Sequence, residues 1–218
     1  MSNAMDKLVS GVKTADIVDA MGRVHRHRCH VLDLVSPTPD KVLFGQAVTI
    51  SYFPTCQEEL DPDRHNFASL FYEAVGDDPE GKVLVLASNG YPDTSLGGGT
   101  KMSRVHNHDM AGILADGRLR DFDELAAYDF VTYCAGEATR WGGDVVTPYQ
   151  ANVPVVLSGV GIIPGNYVFA DSSGAVVIPE SQLGDVLNEA HDVGDEDARS
   201  IDEIRSEDPS TGPVGGER

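Results

Sequence analysis

The chain has 218 residues, 41% of them hydrophobic and 23% charged, which suits one domain burying a single sizeable core and excludes a wholly disordered polymer. Its 35 acidic residues against 16 basic ones leave a formal charge of −19, which disfavours generic binding to nucleic acid or to an anionic membrane. No apolar run approaches the roughly 20 residues that span a bilayer and no leader pattern precedes the fold, so a soluble, cytoplasmic protein is expected.

In chain order, residues 1–4 read as an expression scar, 5–206 as a single α/β domain and 207–218 as a mobile tail. Thr14–Arg23 (TADIVDAMGR) places Ile17, Val18 and Met21 at helical spacing behind a polar cap candidate. Gln46–Phe53 reads as a β-branched strand, Phe67–Val75 as an amphipathic helix and Lys82–Ala87 (KVLVLA) as a buried strand. A glycine-rich loop, Asn89–Gly99, then leads into a helix over Thr100–Asp109 and a buried strand at Gly112–Ala115, which together make a βαβ unit. Asp121 with Glu124 resembles a capping box opening a helix through Ala127, and a strand follows near Phe130–Tyr133. Beyond it the pattern turns to sheet: Val153–Leu157, then Tyr167–Ala170 and Ala175–Ile178 joined as a hairpin through Asp-Ser-Ser-Gly. A C-terminal helix begins near Ser181, and twelve acids against three bases between Glu180 and Arg218 concentrate the negative charge there.

Several side-chain groups carry chemistry. Leu96-Gly97-Gly98-Gly99-Thr100-Lys101 follows a strand and opens a helix, so unpaired first-turn amides and the Lys101 ammonium offer a pocket for a carboxylate or phosphate. The same residues also read as a plain connecting turn, and they match neither a Walker loop nor a dinucleotide fingerprint. Arg120 and Asp121 lie just past the next strand, where ligands of α/β sheets gather. Arg120 offers a planar fork for a carboxylate, and Asp121 a hard oxygen for Mg²⁺ or Mn²⁺; alternatively Asp121 caps the following helix and Arg120 pairs with a surface acid. His25, His27 and His30, interleaved with Arg23, Arg26 and Arg28, fit an exposed edge or loop better than a metal site. His106 and His108 are two apart on a helix and point in different directions. Cys29, Cys56 and Cys134 form no CxxC pair, so reduced, ordinary cysteines are expected.

Taken in order, TADIVDAM, FGQAVTI, the glycine loop, AGILADGRLRD (Ala111–Asp121) and VPVVLSGVGIIPGNYVFADSSGAVVIP (Val153–Pro179) resemble the RraA-like family over about Thr14–Arg205. That family includes regulators of ribonuclease activity and class II pyruvate aldolases acting on 4-hydroxy-4-methyl-2-oxoglutarate. The resemblance implies a three-layer swivelling β/β/α fold, similar to phosphohistidine domains, in a homotrimer or a hexamer with sites between subunits. It further implies that Arg120 holds the carboxylate of a 2-oxo acid, that Asp121 ligates Mg²⁺ (or Mn²⁺), and that Gly98, Gly99, Thr100 and Lys101 complete substrate binding. Glu196, from a neighbouring subunit, is similar in position to an acid of the metal's water shell. Gly99 departs from the pattern: aldolase members usually carry an acid there, so oxaloacetate decarboxylation is the activity more easily retained. The competing reading is a non-catalytic regulator that docks its acidic surface on a basic segment of a ribonuclease.

Overall fold

The structure is a computed structural model that describes residues 7–24, 28–56 and 59–207. Residues 1–4, residues 208–218, and His25 and His27 of the histidine cluster lie outside the described residues, so the sequence readings that fall on them do too. The fold is mixed α/β and is organised on one long strand.

That strand, β2 (Leu43–Pro54), follows helix α1 (Thr14–Val24) and the short β1 (His30–Val31). Its first residues pair antiparallel with β11 (Tyr167–Asp171), its middle pairs parallel with β3 (Val83–Ala87), and its end pairs antiparallel with β8 (Val146–Ala151). Helix α2 (Phe67–Val75) bridges β2 and β3, and its predicted limits match the observed ones. Parallel pairing then runs from β3 to β5 (Gly112–Ala115) and from β5 to β7 (Val131–Tyr133). The crossovers carry β4 (Ser95–Gly97) with α3 (Gly99–Asn107), and β6 (Arg118–Leu119) with α4 (Phe122–Ala127). Helical crossovers are what parallel neighbours require, because a tight turn cannot join them. The hairpin from β11 to β12 (Gly174–Ile178) forms as expected, with Asp171 opposite Gly174.

The β3 sequence VLVLA is apolar throughout because the strand is covered on both faces. Leu84 and Leu86 face one way with Ile113 and Ala115, against Phe71 of α2, Val105 of α3 and Leu125 of α4. Val83, Val85 and Leu114 face the other way, against β9 (Val155–Leu157) and β10 (Val160–Ile162). A third apolar cluster joins Ile17, Ala20 and Met21 of α1 to Val186, Leu187 and Ala190 of the final helix α5 (Leu183–Arg205), over Phe169 and Val176.

Four short or edge elements differ from expectation. Strand β8 is disguised in the sequence by Pro148, which its position tolerates because β8 pairs only with β2. β4 and β6 fall where the sequence suggests loop, and β10 is a strand that the sequence does not separate from its surroundings; each is two or three residues long, too short for periodicity to register. α5 starts at Leu183 after a 3₁₀ turn over Glu180–Gln182. Among the described residues, no helix is long and apolar enough to cross a membrane, and all three cysteines are free.

Candidate active site

The loops leaving the carboxyl ends of β3 and β5 are held side by side. β4 pairs parallel with β6, setting Ser95 opposite Arg118 and Gly97 opposite Leu119. Arg120 N then donates to Gly97 O at 2.9 Å, so the Arg120–Asp121 segment is tied to the glycine loop by backbone as well as by side chains.

Asp121 does not form the expected capping box. It sits in the left-handed region, at φ 64° and ψ 53°, and makes no side-chain bond to α4. Phe122 N donates instead to Glu137 Oε1 at 3.0 Å, so Glu137 satisfies the start of α4. Asp121 Oδ2 accepts from Gly99 N at 3.1 Å. Asp121 thus caps α3, whose own N-cap, Gly98, has no side chain to do so. The left-handed backbone turns the carboxylate back towards the glycine loop. Strain of this kind, of order 1 kcal/mol or more for a residue with a Cβ, persists only where surrounding contacts enforce it.

Gly97, Gly98, Thr100, Lys101, Arg120 and Asp121 line a cavity of about 260 Å³, with Ser95 and Trp141. Arg120 Nε lies 3.7 Å from Asp121 Oδ1 and both side chains are about one-third exposed, so the guanidinium and carboxylate face the same space. Within α3 the first i→i−4 bond runs from Met102 N to Gly98 O at 3.0 Å, so the amides of Thr100 and Lys101 have no intrahelical acceptor. Gly99 does not line the cavity; its amide is engaged by Asp121.

The most informative residue that sequence reasoning missed is Glu124. A Cβ added to Gly99 would lie 2.9 Å from Glu124 Cβ and would collide outright with Glu124 Oε2. The space in which an acid at position 99 would begin is therefore occupied by a carboxylate from α4. The available signal is the three-residue spacing of Asp121 and Glu124, which suggests a capping box although residues three apart on a helix also share a face. Gly98 is equally constrained: a Cβ there would meet Asp121 Oδ2 and come within 3.1 Å of Arg120 Cβ.

Other candidates lie elsewhere. Glu196 is on α5, where it accepts from Arg23 Nη2 at 2.9 Å, and it does not line the Asp121 cavity within one chain. His106 stacks on Tyr128 with ring centroids 5.3 Å apart, and His108 Nδ1 is 2.9 Å from Arg104 O. His30 belongs to β1, opposite Val176. Burial pushes the Cys134 thiol up to about 11, which makes it unreactive.

Lys101 has no carboxylate partner among the described residues. Its Nζ sits 5.6 Å from the Phe67 ring centroid, and burial first, then Arg104 and Arg120, hold its pKa below the ordinary 10.5. Folding therefore carries a penalty while Lys101 is charged in both states, and relief comes as pH rises through its folded-state pKa towards 10.5. The expected result is that wild type gains stability relative to Lys101→Met across that alkaline window, read from urea midpoints of both proteins between about pH 7 and pH 11; parallel pH profiles would contradict it.

The Aldolase/RraA family model, RraA-like, matches residues 14–177. Protein DlpA of Legionella pneumophila is 26% identical over 190 residues, which is 86% of this chain and 29% of DlpA. A candidate 4-hydroxy-4-methyl-2-oxoglutarate aldolase of Ectopseudomonas mendocina is 32% identical over 142 residues, 63% of this chain and 76% of that protein. A protein of the same description from Halalkalibacterium halodurans is 30% identical over 50% of this chain and 52% of its own length. The chain thus spans about a third of DlpA and about half of the Halalkalibacterium protein. Among solved structures, Streptomyces coelicolor RraAS2, described as an unusual member of the RNase ES inhibitor RraA family, superposes with a TM-score of 0.76 at 23% identity, covering 94% of this chain and 98% of its own. An uncharacterised Pseudomonas syringae protein gives 0.76 at 22% identity, over 95% of each chain. At these identities the structural likeness establishes the fold.

Proposed function

The chain belongs to the RraA-like family, and from that premise we propose that it is a divalent-metal-dependent lyase of 2-oxo acids, releasing pyruvate by retro-aldol cleavage of a 4-hydroxy-2-oxo acid or by decarboxylation of oxaloacetate. The observation that carries this reading is the convergence of Arg120, Asp121 and the first turn of α3 on one cavity. Aldolase names among the relatives support it.

The residues present suit Mg²⁺ or Mn²⁺. Among the described residues no three His, Cys, Asp or Glu side chains gather into a metal cage. Mg²⁺ needs none, since it keeps several waters and takes one or two carboxylates. Asp121 would hold the ion: Gly99 N–H fixes one carboxylate oxygen, and Gly98 keeps that flank free of a Cβ. When bound, the ion supplies electrophilic stabilisation of negative charge on the keto oxygen.

The chain's own groups do the rest. Arg120 and the Thr100 and Lys101 amides bind the C1 carboxylate and offset its charge as the enolate forms. In the retro-aldol direction the acid nearest the cradle besides Asp121 is Glu124, which abuts Gly99 without lining the cavity and would have to turn inward to accept the C4 hydroxyl proton. The C4 carbonyl forms, the C3–C4 bond breaks with its electrons passing to C3, and protonation of C3 completes pyruvate. Decarboxylation follows the same course with CO₂ as the leaving group and no hydroxyl proton to remove. Glu196 could serve such a site only from another copy, so its proposed role goes with the proposed homotrimer or hexamer.

The test is a coupled pyruvate assay on oxaloacetate and a set of 4-hydroxy-2-oxo acids. Turnover is expected with Mg²⁺, and a loss of at least about a hundredfold with chelator. Metal-independent turnover, or none, overturns the reading. A second reading, a ribonuclease regulator, is favoured by the exposed acidic end of α5, where Val193 is the last buried residue. A salt-sensitive complex with a basic ribonuclease segment and no 2-oxo-acid turnover would select it.

A further inference from the structure

We propose that the larger cavity adjoining the Arg120–Asp121 cradle is a subsite for the C4 substituent of the 2-oxo acid, and that it selects a bulky, mostly apolar group, an aryl ring being the best match. The inference rests on the reading of the cradle given above and adds the substrate class to it.

The two cavities share Ser95, Lys101 and Trp141 as walls, so a ligand anchored by its carboxylate at Arg120 can continue past Lys101 into the second space. The second space measures about 570 Å³, more than twice the cradle's 260 Å³. A methyl or carboxylate alone would leave it mostly empty. Its walls are mostly apolar, built from Leu60, Pro62, Phe67, Leu96, Val146 and Pro148, with His65, Asn66 and Thr147 as polar members. Lys101 is the only lysine or arginine among the described residues that line it, and it is shared with the cradle. A second carboxylate carried to the far end would meet no lysine or arginine there, only His65, Asn66 and Thr147, whereas a ring would gain from burial against the apolar walls. Lys101 Nζ lies instead over the Phe67 ring, 5.6 Å from its centroid.

Two further features point to a ligand. His65 Nδ1 is buried without a hydrogen-bond partner in the wall of this space, while the His65 ring stacks on Tyr149 at 5.3 Å. An orphaned polar atom of this kind is costly unless something satisfies it, and since it has no accessible surface here, a substituent on the ring would do so only after the imidazole turns. Trp141, at the shared neck, is 56% exposed despite being a large apolar side chain, as suits a residue covered when the site fills.

The chain has a single tryptophan, so fluorescence of Trp141 reports binding without any need for turnover. The full chain, with Mg²⁺, is titrated with 2-oxobutanoate and with 2-oxo-4-phenylbutanoate; both lack a C4 hydroxyl and undergo no retro-aldol cleavage. The phenyl ligand is expected to bind about thirtyfold more tightly, the gain from burying one ring. Leu60→Asp, and separately Pro62→Glu at an exposed part of the wall, place an acid beside the ring and are expected to cut that ratio below about threefold. Arg120→Ala should weaken both ligands at least about tenfold. If both ligands bind wild type equally and Arg120→Ala weakens both, the subsite is refuted while the cradle stands. A phenyl preference untouched by either wall variant also refutes it, because the ring then sits elsewhere. If neither ligand binds, the cradle and the subsite fall together.

Discussion

Asp121→Asn is expected to lower metal-dependent pyruvate release at least about a thousandfold while leaving the melting temperature close to that of wild type. Asparagine tolerates the left-handed backbone at φ 64° and keeps a carbonyl oxygen for Gly99 N–H, so the junction of the two loops survives. What it removes is the negative charge that would hold the cation. Asp121→Ala removes the charge and the cap of α3 together, and is expected to cost about 1–2 kcal/mol of stability in addition to activity. The pair of variants separates chemistry from scaffolding, with the coupled assay reading one and thermal unfolding the other. Turnover by Asp121→Asn within about threefold of wild type would remove Asp121 from the mechanism.

The second large effect concerns position 99. Gly99→Asp, which installs an acid where aldolase relatives are expected to carry one, is predicted to damage the protein rather than improve it. Its Cβ would overlap the Glu124 carboxylate and crowd Glu124 Cβ at 2.9 Å. Overpacking of this kind costs about 1–3 kcal/mol, and two carboxylates forced together add like-charge repulsion. Combining Gly99→Asp with Glu124→Ala removes the overlap with the carboxylate and the like-charge repulsion, leaving only the Cβ contact. The double variant should therefore be more stable than Gly99→Asp alone, with a coupling energy of at least about 1 kcal/mol in a double-mutant cycle. Activity sharpens the comparison. Glu124→Ala should reduce retro-aldol turnover by about 10²–10³, far more than it reduces decarboxylation, which has no hydroxyl proton to move. In the double variant the carboxylate introduced in place of Gly99 should recover part of that loss. Additive stabilities, or equal losses in both reactions, would show that Glu124 is a bystander on the α4 surface.

These two positions also show where a sequence ceases to be informative. Asp121 and Glu124 are conspicuous as a polar pair before a short helix, and the local pattern points to capping of that helix. In the fold the cap goes to a different helix, α3, from 22 positions downstream of the amide it satisfies. Glu137 takes the vacated role at α4. Both exchanges depend on the parallel pairing of β4 with β6, two strands too short to carry a periodic signature. Trp141 escapes notice in the sequence because a single aromatic in a Gly-rich loop has no pattern at all; its place at the neck of two cavities exists only in three dimensions.

What the sequence alone determined was everything governed by short-range repetition. The helix at Phe67–Val75, the buried strands at Val83–Ala87 and Gly112–Ala115, the β11–β12 hairpin and the identity of the RraA-like family were legible because side-chain period, turn residues and ordered motifs are written along the chain. Only the tertiary structure decided which donor each carboxylate meets, that Glu124 fills the space beside Gly99, and that the cradle opens into a second, apolar chamber. Those outcomes follow from packing between segments tens of residues apart, where each side chain's partner is set by how the crossovers stack on the sheet and not by its neighbours in sequence.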